Sequence, residues 1–162
     1  MDTTRMRTWA EIDLSALEHN YRTLRAMLPR DCRFLGLCKA NAYGHGAAVI
    51  GHALERLGAD MLAVACVSEA EELRQSGVTL PILCLGETPE ELIPLLLELD
   101  VTQMVEDLET GRRLSAAAQA AGRTLKIHVK LDTGMSRLGF LWETGREEET
   151  ADAIARLCRL PG

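Results

Sequence analysis

Lys39 closes a short apolar run, Phe34-Leu35-Gly36-Leu37-Cys38, and is followed by Ala40-Asn41-Ala42-Tyr43-Gly44-His45-Gly46. A cationic amine at the end of a buried strand is costly, because desolvation favours the neutral form, which attacks carbonyl carbon. That is the chemistry of a Schiff-base lysine. The following glycines let backbone approach a bound group, and Tyr43 offers a hydroxyl to one of its oxygens. A lysine snorkelling from a strand end into solvent is the plain alternative for an isolated Lys-Ala pair. A second polar set lies in Lys126-Ile127-His128-Val129-Lys130-Leu131-Asp132. Period two places Ile127, Val129 and Leu131 on one face and Lys126, His128, Lys130 and Asp132 on the other. Alternation alone fits a solvated edge strand as well as a polar face turned toward the centre of a sheet or barrel. Thr133-Gly134-Met135-Ser136-Arg137-Leu138-Gly139-Phe140 follows.

The elements that must position these groups read as alternating strands and helices. Residues 9–13, Trp-Ala-Glu-Ile-Asp, alternate apolar and polar and predict a short strand. Asp13 or Ser15 caps a helix with the stripe Leu14, Leu17, Tyr21, Leu24 and Leu28, ended by Pro29. Apolar runs at 34–38, 61–67, 80–85, 101–105 and 125–131 predict five strands. A helix over 46–57 carries Val49, Ile50, Ala53, Leu54 and Leu57 on one side and stops at Gly58. Ser68 with Glu71 forms a capping-box pattern for the next helix, which Gly77 closes. Thr88, Pro89 and Glu91 signal another start, with Pro94 expected to kink or shorten that helix. Asp107 caps an alanine-rich helix ending at Gly122. A last helix spans about 144–160, acidic at its start and arginine-bearing at its end, as the helix dipole favours. This alternation predicts parallel βαβ units. There is no GxGxxG after the first strand and no GxxxxGK[ST] anywhere, so the phosphate-loop folds lack their fingerprints. Lys39 and Lys130 both fall at C-terminal strand ends, where (β/α)8 barrels build their active sites.

Composition narrows the class. A chain of 162 residues with 47% hydrophobic and 26% charged residues fits one soluble globular domain. A net charge of -6 with no basic block argues against nucleic acid as a main partner. No apolar stretch approaches the roughly 18 residues of a membrane span, and the N-terminus lacks a signal-peptide core. Five cysteines, Cys32, Cys38, Cys66, Cys84 and Cys158, are odd in number with no CxxC pair. Cys38, Cys66 and Cys84 lie in apolar segments as small hydrophobes, which points to a reducing, cytoplasmic setting and away from a disulfide framework or zinc site.

The run from Cys38 to Gly46 closely resembles the cofactor-lysine motif of the bacterial alanine racemases, which use pyridoxal 5'-phosphate (PLP). Lys130 through Phe140 resembles the second hallmark of that family. The likeness extends along essentially the whole chain, from Trp-Ala-Glu-Ile-Asp through Leu62-Ala63-Val64-Ala65, Ser68-Glu69-Ala70 and Pro81-Ile82-Leu83. It implies an α/β fold, the PLP-binding (β/α)8 (TIM) barrel, of which this chain holds about five of eight βα units. Residues 1–162 would then be the N-terminal part of that barrel, with residues 1–13 forming a strand that pairs with a C-terminal β-domain absent here. By the same resemblance Lys39 carries PLP and acts as a base, and Tyr43 contacts its phosphate. Arg137 faces the cofactor's phenolic oxygen and the substrate carboxylate, and Lys130 is carbamylated to hold Arg137. Glycine usually stands at the position of Ser136, and a requirement for positive φ there would make serine a perturbation. The implied activity is racemisation of L- and D-alanine for peptidoglycan by a homodimer whose partner subunit supplies a tyrosine base. This chain alone would then be nearly inactive. A non-catalytic PLP-homeostasis protein and a serine racemase of the same family are the alternatives.

Overall fold

The computed structural model describes residues 7–162. Its centre is a five-stranded, wholly parallel sheet of β1 (Leu35–Leu37), β2 (Met61–Val64), β3 (Ile82–Cys84), β4 (Val101–Val105) and β5 (Ile127–Val129), in that spatial order. Each strand is followed by at least one helix, so the sheet is the open arc of a (β/α)8 barrel, five units long. β2 and β3 read as continuous apolar runs, and β4 is buried along its whole length with Thr102 and Gln103 inside it, because these strands are covered on both faces, as parallel strands require.

Register fixes which residues share a face. Leu37, Ala63, Leu83 and Thr102 form one cross-strand row, with Met104 beside His128 on the same side. Ala63, Leu83 and Met104 are the small apolar cluster of this inner face. The opposite face, including Leu62, Val64, Ile82, Val101 and Val105, joins the main core beneath the helices. Among the described residues β1 and β5 are the sheet edges, and Leu35 and Leu37 remain exposed on the inner side.

The helices follow their sequence signals with informative exceptions. α1 (Leu14–Ala26) is capped by Asp13, whose carboxylate accepts from the N–H groups of Ser15 and Ala16. Of its predicted stripe only Tyr21 is buried, edge-to-face on Phe34 with ring centroids 4.8 Å apart, while Leu14, Leu24 and Leu28 stay exposed. α3 (Ala47–Leu57) buries Ile50, Ala53 and Leu54 and ends at left-handed Gly58, although Val49 faces solvent. α4 (Val67–Gln75) starts two residues earlier than the Ser68–Glu71 pattern predicts, and Ser68 caps nothing. After Pro89 comes a single 3-10 turn (Glu90–Leu92), and Pro94 opens α5 (Ile93–Glu98) rather than kinking it. α6 (Leu108–Ala120) is capped by Asp107 through the Thr110 N–H, and α7 (Glu147–Leu157) starts on three glutamates. No described helix is long and apolar enough to cross a membrane.

Residues 9–13 enter no strand pairing among the described residues, and the strand expected to receive them belongs to the C-terminal β-domain that the resemblance implies. Residues 1–6 of the segment read as an N-terminal strand lie outside the described residues. The fifth strand is shorter than its alternating pattern. β5 stops at Val129, and after Lys130 the chain pairs elsewhere, β6 (Leu131–Asp132) with β7 (Phe140–Leu141). Cys38 and Cys84 are buried as expected, but Cys66 is exposed, and all five thiols are free.

Candidate active site

Parallel strands bring their C-terminal ends to one rim, and both sequence motifs leave from it. Lys39 follows β1 and opens α2 (Lys39–Tyr43), a turn of the wrong hand for L-residues. Ala40, Asn41, Ala42 and Tyr43 have φ of 52°, 53°, 51° and 54°, and Gly44 continues at 87°. Left-handed helix costs roughly 1–2 kcal/mol per non-glycine residue, so this segment must be held from outside. Several bonds do so. The Ala42 N–H donates to the Cys38 carbonyl at 2.8 Å, and the Gly46 N–H donates to that of Asn41 at 3.0 Å. The Asn41 side chain accepts from the Ala47 N–H at 2.7 Å, capping α3 where Gly46 has no side chain to do it. Glu69 accepts from the Ala40 N–H at 2.7 Å and from the Ala65 N–H at 2.7 Å.

The turn curls Tyr43 back over its own start. The Lys39 Nζ lies 5.9 Å from the Tyr43 ring centroid, within reach of a cation–π contact. Lys39 is half-buried and Tyr43 is 60% exposed, so the amine sits at the open rim rather than sequestered in the core. Cys38 beneath it is fully buried, and burial first and the Glu69 charge second push its thiol up to about 11.

The second motif is built around Asp132, which the alternating pattern assigned merely to a polar face. It is 6% exposed. One carboxylate oxygen accepts from the N–H groups of Gly134 and Ser136 at 3.0 Å each, and the other accepts from that of Arg137 at 2.9 Å. The Gly134 and Ser136 N–H groups, with smaller help from those of Arg137 and Met135, hold this carboxyl below its usual range. Ser136 has φ 56°, so the position does demand a left-handed backbone, and the Asp132 bond helps a serine accept it. A group whose folded pKa is depressed adds stability above its unfolded pKa and loses it as pH falls through the folded value. The Gly134, Ser136 and Arg137 amides are therefore expected to lose hydrogen-exchange protection only below about pH 4, and not between pH 5 and 8.

Lys130 immediately follows β5 and is exposed, and neither its amine nor the Arg137 guanidinium has a hydrogen-bond or ion-pair partner among the described residues. Lys126, by contrast, lies before β5 and pairs with Asp100 at 3.0 Å, which takes it out of the site. His128 lies on the inner face beside Met104. A cleft of about 280 Å³ runs between Glu106, Asp132, Ser136 and Arg137. Glu106 Oε2 is buried there without a hydrogen-bond partner among the described residues, and burial first, then Glu87 and Asp107, raise its carboxyl. Gln103, fully buried in β4, accepts from the Thr88 hydroxyl at 2.7 Å and donates to the Gly86 carbonyl at 2.8 Å, fixing the loop after β3.

Sequence reasoning missed Glu69, Asn41, Gln103 and Glu106. Glu69 carried a usable signal, a carboxylate in the first turn of a helix beside a strand end. A glutamine inside an otherwise apolar strand was another.

Known proteins place this geometry. The family described as alanine racemase, N-terminal domain, matches residues 12–162. The alanine racemase of Desulfovibrio desulfuricans is 45% identical over 143 residues, 88% of this chain and 37% of that protein. That of Clostridium perfringens strain SM101 is 41% identical over 162 residues, 100% of this chain and 41% of that protein. The solved alanine racemase of Clostridium difficile 630 superposes with a TM-score of 0.90 at 40% identity, covering 97% of this chain and 40% of that one. The chain thus spans about two-fifths of the length of these relatives. With a family match across nearly all of its length and a barrel arc that follows a solved relative throughout, the chain belongs to the alanine racemase N-terminal domain family.

Proposed function

We propose that this chain is the cofactor-lysine portion of a PLP-dependent alanine racemase, with Lys39 the residue that holds the cofactor. The observation that carries the reading is Lys39 at the rim on a strained, externally tied turn, with Tyr43 folded over it. Strain of this kind persists where a side chain must be presented in one geometry. The donor set fits PLP. The Lys39 amine suits its aldehyde carbon and the Tyr43 hydroxyl a phosphate oxygen, while the Arg137 guanidinium suits the phenolic oxygen and a substrate carboxylate. Bound PLP supplies an electron sink for charge developing at the amino acid Cα.

This chain's residues then orient and transfer protons. Lys39 Nζ takes or returns the Cα proton on one face, and Arg137 fixes the carboxylate so that this face is presented. Inversion needs a second base on the opposite face, which we assign to a tyrosine of a partner subunit, so the chain alone racemises alanine far more slowly than the complete protein. Lys130 and Arg137 are like charges near one strand end. Carbamylation of Lys130, in which its amine adds to CO2 with loss of a proton, reverses one sign and gives Arg137 an anionic neighbour. Alanine is preferred to serine on the strength of the relatives' names, and D-alanine supply for peptidoglycan by a cytoplasmic homodimer follows from the family resemblance.

The chain has three lysines, Lys39, Lys126 and Lys130, which makes a direct test possible. PLP condenses with an amine with loss of water, and borohydride delivers hydride to the resulting carbon–nitrogen double bond. Peptide mass mapping of the purified chain after this treatment is expected to find the adduct on Lys39. A folded chain modified only on Lys126 or Lys130 would show the assignment to be wrong.

A further inference from the structure

We propose that Glu69 is a positioning residue for Lys39, tying the left-handed turn α2 to the end of β2 so that the amine is presented at the rim. The inference rests on the reading of Lys39 as the cofactor lysine. Glu69 is the third residue of α4, where the helix dipole favours an anion. Its two oxygens serve two loops. One accepts from Ala40, directly after Lys39 and the first residue with positive φ, and the other accepts from Ala65, directly after β2. Both bonds are 2.7 Å, the short length of charge-assisted contacts, which are the strong ones. Glu69 therefore does more than cap its own helix. It links the ends of adjacent strands across the foot of the turn, and its charge reaches the Cys38 thiol on the other side of Lys39.

The alternative conformations explain why the tie matters. Ala40, Ala42 and Tyr43 all prefer right-handed or extended backbone, and a turn released at Ala40 is free to relax to either. Relaxation re-aims the residue immediately before it, which is Lys39. The Gly46 and Ala47 bonds to Asn41 anchor the turn's far end, whereas its near end is held by the Ala42 bond to the Cys38 carbonyl and, from outside the turn, by Glu69.

The test uses the whole 162-residue chain, PLP and timed borohydride quenching, with the adduct on Lys39 measured relative to that on Lys126 and Lys130. Glu69→Gln keeps one accepting oxygen and loses the other together with the charge. The Lys39 ratio is expected to fall about tenfold, the scale of one lost hydrogen bond to a charged group. Adding Ala40→Gly to Glu69→Gln is expected to recover most of the loss, because glycine takes positive φ without steric penalty. An unchanged ratio in Glu69→Gln overturns the proposal. So does a fall that Ala40→Gly leaves in place, since Glu69 would then act only through α4. Should circular dichroism show Glu69→Gln unfolded, Glu69→Asp is read instead. Its carboxylate is one methylene short of spanning both N–H groups, and the same fall is expected.

A folded wild-type chain with no Lys39 adduct counts against the cofactor reading and not against the tie. The tie is then read from exchange of the Ala40 amide. Exchange about tenfold faster in the Glu69 variant supports it, and an unchanged rate refutes it.

Discussion

Lys39→Ala is expected to erase the dominant reducible PLP adduct, leaving only the slow background on Lys126 and Lys130, with the fold almost untouched. The two halves of that expectation have separate physical grounds. Lys39 makes no hydrogen bond or ion pair among the described residues, and its one recorded interaction is the cation–π approach to Tyr43 at 5.9 Å. At an exposed site such a contact contributes about 0.5–1 kcal/mol, so urea denaturation should shift by no more than that. The adduct depends on a nucleophilic amine in one place, and neither other lysine can replace it. Lys126 is paired with Asp100 before β5 begins, and Lys130 follows the last strand of the sheet, at the opposite edge from β1. Lys39→Arg sharpens the test. It restores the cation over Tyr43, but a guanidinium stays protonated and does not condense with an aldehyde. Stability should return with Lys39→Arg and the adduct should not. An undiminished adduct in both variants would move the cofactor elsewhere in the chain.

The sequence located all five parallel strands and the Asp107 cap and narrowed the first cap to Asp13 or Ser15, because each rests on local chemistry: an apolar run that must be covered, or an oxygen beside free N–H groups. It also placed Lys39 and Lys130 at strand ends on one rim. What it could not supply is the way each motif is held, since that depends on groups distant in sequence or on backbone of unusual sign. Of Ala-Asn-Ala-Tyr only the asparagine readily takes left-handed backbone, and the turn is tied by Glu69, far along the chain, which takes the Ala40 N–H, and by Asn41, which takes that of Ala47. The alternation through Asp132 suggested a continuous strand. In the fold the Lys130 carbonyl accepts from the Phe140 N–H at 2.8 Å, which ends β5 and starts a separate pairing that no periodicity reveals. Both motifs share one device. A carboxylate gathers backbone N–H groups, Glu69 for the Lys39 turn and Asp132 for the Arg137 loop, and so holds the backbone at each motif without touching the Lys39 or Arg137 side chain.

If the two motifs are held independently, damage to one should spare the other, and Gly139→Ala separates them. A Cβ at Gly139 would lie 2.8 Å from the Asp132 nitrogen, 2.8 Å from the Lys130 oxygen and 2.9 Å from the Leu131 carbonyl carbon. These are backbone atoms that cannot rotate aside, and the φ of 121° is closed to L-residues in any case. The Phe140 N–H would lose its place on the Lys130 carbonyl, β6 and β7 would part, and Phe140 would leave the core. Overpacking against backbone together with a forbidden φ should cost about 3 kcal/mol or more in denaturant unfolding. Gly145→Ala is the matched control. Its φ is also positive, at 86°, but its Cβ would meet nothing within 4 Å, so it should cost only about 1 kcal/mol. Equal costs for the two variants would mean that the close approach at Gly139 is not real. In Gly139→Ala the Ser136 and Arg137 amides should exchange freely, because the loop has lost the strand that carries Asp132. Borohydride trapping on Lys39 should persist under conditions where the chain remains folded, since the turn after β1 is tied to β2 and α4 and owes nothing to β6.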